Sequence, residues 1–134
     1  MKQSSFRYLG AFDLVLVAAF LAAFGVGALG STPIALMVLA GVAALLAGSL
    51  AELSVGPLSV PWRGFAAATY LLFAVLLPAT YLPHVIAGTA TASETALFAV
   101  SCVTALLFVF MGFDIARGGK HFRIEPNVER VVGR

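Results

Sequence analysis

The chain has 134 residues, of which 61% are hydrophobic and 10% charged, with a mean hydropathy of +1.04 and a formal net charge of +2. Ordinary soluble domains are near half apolar and about one quarter charged, so lipid rather than water is expected around most of this surface. Four helices of membrane length use up nearly all of these residues and leave no room among them for a soluble catalytic domain.

The first apolar stretch spans about residues 8–29. Gly30-Ser31-Thr32-Pro33 breaks it, with Thr32 placed to cap the next helix and Pro33 suited to its first turn. The second stretch covers about residues 33–53. So short a link makes the two an antiparallel hairpin. Leu53 to Gly64 follows as an irregular connection, because Gly56-Pro57 and Pro61 interrupt any helix. Its residues remain apolar, which places it on the membrane surface. Trp62 and Arg63 read as an interfacial anchor there.

The third stretch covers about residues 65–86, and Pro78 predicts a kink or an end late in it. Thr91-Ala92-Ser93-Glu94 has capping-box spacing and opens the fourth stretch, about residues 94–117. Gly118-Gly119 closes it. Residues 1–119 thus form the membrane domain, and residues 120–134 a polar, basic tail.

The cations follow a pattern. Lys2 and Arg7 precede the first stretch and Arg63 separates the second from the third. Arg117, Lys120, Arg123, Arg130 and Arg134 follow the fourth. The other two connections carry no Lys or Arg. By the positive-inside rule, both termini and the middle connection face the cytoplasm. The expectation is an all-α polytopic membrane protein, an up-down-up-down bundle of four helices in the cell membrane. The sequence pI near 9.0 is read as this topology and not as nucleic-acid binding. Arg in excess of Lys, with Ala, Val, Leu and Gly in excess of Ile, fits a GC-rich prokaryotic genome.

In lipid, helices gain from close backbone approach, so small residues mark their contact faces. Ala19, Ala23 and Gly27 recur at four-residue spacing in the first stretch, and Ala40, Ala44 and Gly48 in the second. In the fourth, Ser101, Ala105 and Gly112 share an arc.

Asp13, Glu52 and Asp114 are the carboxylates nearest lipid, where a charge is costly and marks a functional candidate. All three lie toward the cytoplasmic ends, where water is near. At 100° per residue, Asp13 falls on the Val17, Phe20 and Phe24 stripe, away from the small face, as Asp114 falls away from the arc of its own helix. Glu52 flanks the small face and is expected to point inward, toward Arg63 or Arg117. Asp114 and Arg117 are three apart and can pair locally. Together Asp13, Glu52, Arg63, Asp114 and Arg117 read as an interfacial charge network that fixes helix ends.

Tyr8-Leu9-Gly10-Ala11 followed by Asp13 resembles the start of small multidrug-resistance transporters. The resemblance covers these residues alone. It implies a dimer of four-helix chains with a membrane carboxylate in the first helix. This chain has Asp where that family has Glu, and adds a Pro-containing loop and a basic tail.

No cofactor is expected. His84 and His121 fall on opposite sides, no metal-ligand cluster is spaced for binding, and phosphate-binding glycine loops are absent. Cys102 is the lone cysteine and has no partner for a disulfide. The hydroxyls of Ser101 and Thr104 are expected to bond their own helix. The reading is a non-enzymatic membrane protein, an accessory or structural subunit of a larger assembly. Its expected partners are the bilayer, anionic head groups and other subunits or a second copy. The alternative is a small oligomeric transporter coupled to protons or cations through Asp13 or Glu52.

Overall fold

Four apolar runs become four helices in the computed structural model, which describes residues 1–133; Arg134, the last cation of the expected tail, lies outside the described residues. They are α1 (Ser5–Phe24), α2 (Thr32–Ser49), α3 (Trp62–Ile86) and α4 (Ala92–Ala116). With 20, 18, 25 and 25 residues, all four are long and apolar enough to cross a membrane.

The ends follow local chemistry. Gly25, at φ +82°, stops α1 before the expected Leu29, and Val26–Gly30 form a short 3₁₀ turn. Ser31 precedes α2, and its hydroxyl donates back to Ala28 O (2.8 Å). Helix α3 continues through both Pro78 and Pro83 to Ile86, so neither proline ends it. At the start of α4, Thr91 Oγ1 accepts from Glu94 N–H (3.2 Å). The Glu94 carboxylate accepts in return from Thr91 N–H (2.7 Å), completing the capping box.

The helices pack in chain order, α1 on α2, α2 on α3 and α3 on α4, and among the described residues α1 and α4 make no comparable contact. The row therefore does not close into a ring. Glycine sets the close approaches. A Cβ on Gly10 would lie 2.6 Å from Gly41 O, one on Gly48 would collide with Arg7 N, and one on Gly112 would lie 3.1 Å from Leu71 Cγ. Gly112 and Ser101 are buried and Ala105 half-buried on the α3-facing side of α4.

The stripe expected on α1 is corrected. Ala19, Ala23 and Gly27 are exposed, and Gly27 lies outside the helix. The buried positions of α1 are instead Phe6, Gly10, Asp13 and Val17. The fully buried positions of the helix thus end at Val17. On α2, Ala40, Ala44 and Gly48 are all buried, with Gly41 beside them.

The middle connection is also corrected. It is not irregular but a β-hairpin, β1 (Glu52–Val55) and β2 (Leu58–Pro61), paired antiparallel from Glu52–Pro61 to Val55–Leu58. Gly56 has φ +59° and Pro57 is held near −65° by its ring, the combination of a type II′ turn. The tail adds a third strand, β3 (Val131–Val132), parallel to β1. It is not free: Glu125 O accepts from Gln3 N–H (2.9 Å) and its N–H donates to Met1 O (3.0 Å).

A small core gathers at this capped end. Phe6, Ala44, Ala47, Trp62, Ala66 and Ile115 come from all four helices, and Ile124 of the returning tail packs on them. Trp62 is therefore a core residue, not the expected interfacial anchor.

Gly10→Ala should destabilise the protein by about 1–3 kcal/mol, because the added methyl meets backbone that cannot yield. Ala19→Leu, on the exposed side, should change little. Equilibrium unfolding in mixed detergent compares them, and an equal loss in both variants would undo this assignment of the α1 face.

Candidate functional site

The polar groups fall in four places. The first is within the helix pair. Asp13 is 4% exposed and faces α2, where its Oδ2 lies 3.1 Å from the point a Cβ on Gly41 would occupy. That oxygen has no hydrogen-bond partner. The angular expectation is thereby reversed, since Asp13 is the inward carboxylate. The reason is that α1 meets α2 through Gly10 and Asp13, not through Ala19 and Ala23. Gly41 lacks the side chain that would exclude the carboxyl.

Glu52 belongs to the second place, the cap. It stands in β1 beyond the end of α2, half-buried, and its Oε1 accepts from Ser54 Oγ (3.1 Å). It does not point between the helices. Helical angles ceased to apply once the chain became a strand. Around it, Gln3 is fully buried, and its Nε2 donates to Ala47 O (2.9 Å) and Leu50 O (2.8 Å). Arg7 Nε donates to Gly48 O (2.7 Å). These side chains reach carbonyls at the C-terminal end of α2, which have no helical donors. Asn127 takes Ser4 N–H on its Oδ1 and gives its Nδ2 to Ser4 Oγ, both at 2.9 Å. Ala51 N–H donates to Arg130 O (2.7 Å), and Trp62 N–H to Ala51 O (2.9 Å).

The third place follows α4. Asp114 accepts from His121 N–H (3.0 Å) and Phe122 N–H (2.8 Å), and His121 Nδ1 lies 2.9 Å from its Oδ1. Gly118 and Gly119, both at positive φ, turn the chain so that it can return to this carboxylate. Asp114 therefore organises the turn and does not pair with Arg117. The Arg117 guanidinium lies 5.9 Å over the Phe113 ring, and that of Arg63 lies 5.5 Å over Trp62. The fourth place is at the far end of the helices, where His84 Nδ1 and Glu94 Oε1 are 3.0 Å apart.

Among the described residues, no Lys or Arg lies within ion-pair distance of a carboxylate, and the acid–base contacts are His84–Glu94 and His121–Asp114. Asp13, Glu52, Arg63, Asp114 and Arg117 thus do not join as a network. Each takes backbone, hydroxyl, histidine or aromatic neighbours instead, or, at Asp13 Oδ2, none. No group of three or more His, Cys, Asp or Glu among the described residues is placed to hold a metal ion. Ser101 and Thr104 donate to Leu97 O (2.7 Å) and Val100 O (2.9 Å), so neither hydroxyl is poised as a nucleophile.

Residues 1–128 match a family of unknown function, DUF7994. The chain belongs to that family. No curated protein and no solved structure matches it. The family match runs from Met1 to Val128, so it includes the Ser4–Asn127 contact but not strand β3.

Sequence reasoning missed the roles of Gln3, Arg7 and Asn127. A fully buried amide two residues from the start carries no local signal, because its partners are 44 and 47 residues away. The pairing of His121 with Asp114 was within reach, since only six residues, with Gly118-Gly119 among them, separate the two.

Two substitutions probe these assignments. Asp13→Ala should lower stability in detergent by about 1–3 kcal/mol, and more than Glu52→Ala, because only the first leaves a void between packed helices. Equal losses would contradict the inward placement of Asp13. Asp114→Asn should speed amide exchange at His121 and Phe122 by about tenfold or more, since a charged acceptor is lost from both. Unchanged protection there would show that the turn holds without the carboxylate.

Proposed function

We propose that this chain is a small multi-pass protein of the cell membrane that serves as a non-enzymatic accessory or structural subunit of a larger membrane assembly. Its helices run up-down-up-down, with both termini, the hairpin and the tail on the cytoplasmic side. Hydrogen bonding between the N-terminal residues, the α2–α3 connection and the tail supports this arrangement, since it gathers every cation-bearing segment at one end.

One observation carries the functional reading. The helix row is open at both flanks, with large apolar side chains exposed on α1 (Phe12, Val15) and on α4 (Val103, Leu106). Meanwhile Gln3, Arg7, Asp114 and Asn127 near the cap are engaged in closing the fold. Such a chain offers lateral surfaces to lipid or neighbouring helices and little chemistry of its own.

A second reading has its own observation. Asp13 is a carboxyl within a membrane-length helix, buried and with one oxygen unpartnered, the setting in which protonation or cation binding is coupled to movement. The transporter alternative therefore rests on Asp13 and no longer on Glu52, which stands in the hairpin.

Reporter fusions test the orientation. One at the C-terminus should report the cytoplasm, and one in the Gly88–Ser93 link the outside. Photo-crosslinkers at Val15 and Val103 should capture discrete polypeptides in intact membranes, whereas capture of lipid alone from both flanks would remove the subunit reading. In reconstituted vesicles, wild type and Asp13→Asn should show the same proton permeability. A coupled flux lost in Asp13→Asn would replace the subunit by a transporter.

A further inference from the structure

The exposed face of α4 leads without interruption into a cationic cleft. Val103, Leu106, Leu107, Phe110 and Phe113 are each between 51% and 70% exposed. At 100° per residue these five and Arg117 occupy an arc of about 120°, one continuous apolar stripe with a guanidinium at its end. There a cleft of about 290 Å³ is lined by Phe110, Phe113, Asp114, Arg117, Lys120 and His121. Its floor is aromatic and its rim is basic.

The charges at that rim are not balanced internally. Among the described residues neither Arg117 nor Lys120 has a carboxylate within ion-pair distance. Asp114 is the acidic group on the cleft wall, and its oxygens already accept from His121 and Phe122. The carbonyls at the end of α4 are occupied too: Phe113 O accepts from Arg117 N–H (3.1 Å), Ile115 O from Gly118 N–H (3.1 Å) and Asp114 O from Gly119 N–H (2.8 Å). The two cations are therefore available to an outside anion, and no internal group competes for it.

We propose that this cleft binds the phosphate of an anionic phospholipid, with an acyl chain lying along the Val103–Phe113 stripe. The assignment rests on the reading that α4 crosses the bilayer with Arg117 at head-group depth on the cytoplasmic side. Guanidinium and ammonium groups suit phosphate oxygens, and a cytoplasmic leaflet supplies anionic head groups. Phe113 serves twice: it holds Arg117 from one face and offers the acyl chain an apolar wall. A soluble anion would use the rim alone. A lipid uses rim and stripe together, and their continuity on one helix decides for the lipid.

The test uses the full chain in mixed nanodiscs of phosphatidylglycerol and phosphatidylcholine, with bound lipid read by native mass spectrometry after release. Wild type should retain phosphatidylglycerol selectively. Arg117→Gln with Lys120→Gln should lose about 30-fold in that retention, at about fivefold for each cation near an anionic surface. Lys2→Gln with Arg130→Gln removes the same charge elsewhere on the cap, away from the cleft, and should cost clearly less retention. If the first pair does not fold, Lys120→Gln alone, at an exposed position beyond the helix, should lose about fivefold. Equal losses in both double variants would reduce the effect to net charge and overturn the site. So would equal competition by soluble glycerol phosphate, which would make it a free-anion site. Extraction of wild type from membranes by alkaline carbonate would instead defeat the membrane reading, an outcome separate from loss of the lipid site.

Discussion

The last turn of α2 has carbonyl groups that no helical N–H can reach, and the residues at the start of the chain supply the donors. Gln3 covers Ala47 and Leu50, and Arg7 covers Gly48. Much of the capped end depends on this contact. It satisfies the carbonyls of Ala47, Gly48 and Leu50 where α2 stops, and the chain leaves as strand β1 from Glu52. It holds α1 against α2 where Gly10, Gly41 and Gly48 permit close approach. It also fixes residues 1–4, on which the returning tail pairs through Glu125 and Asn127. With the N-terminal segment in place, the tail can extend alongside β1.

The cap and the helices obey different physics. Between the helices, where lipid is the expected solvent, apolar burial gives little and shape decides, so glycine and alanine mark the contacts. At the capped end, large side chains such as Phe6, Trp62 and Ile115 bury together and backbone groups pair across strands. The apolar character of the Leu53–Gly64 connection belongs to this second regime: Trp62 turns inward, while Val55 and Leu58 remain exposed at the hairpin tip. Two turns, at Gly56 and at Gly118-Gly119, need positive φ and bring strand and tail into register.

The carboxylates divide by what surrounds them. Asp114 is an architectural group that orders the turn after α4 and leaves the neighbouring cations to face outward. Glu52 is bound up with Ser54 in the hairpin. Asp13 is the one inside the helix pair, and its open oxygen is the feature that keeps a coupled-transport reading alive beside the structural one. The proposed lipid cleft is compatible with either, because it lies on the outer face of α4 and Asp13 lies between α1 and α2.

By itself the sequence determined four membrane-length helices, because the length and apolarity of a span are set by bilayer thickness and are written in consecutive residues. It also determined the Thr91–Glu94 capping box and the small faces of α2 and α4, since caps and helical arcs are local patterns. It did not determine which part of α1 makes contact: Ala19 and Ala23 are small residues as Gly10 is, and the fixing of Gln3 and Arg7 on α2 favours the N-terminal part. Nor did it determine the sheet. A two-residue strand at Val131–Val132 has no periodicity to detect, and its pairing with Glu52–Leu53 is made by backbone groups that every residue carries. The inward turn of Asp13 and the outward cations of Arg117 and Lys120 were likewise decided by tertiary structure, because whether a charge is paired depends on neighbours that the fold brings from elsewhere in the chain.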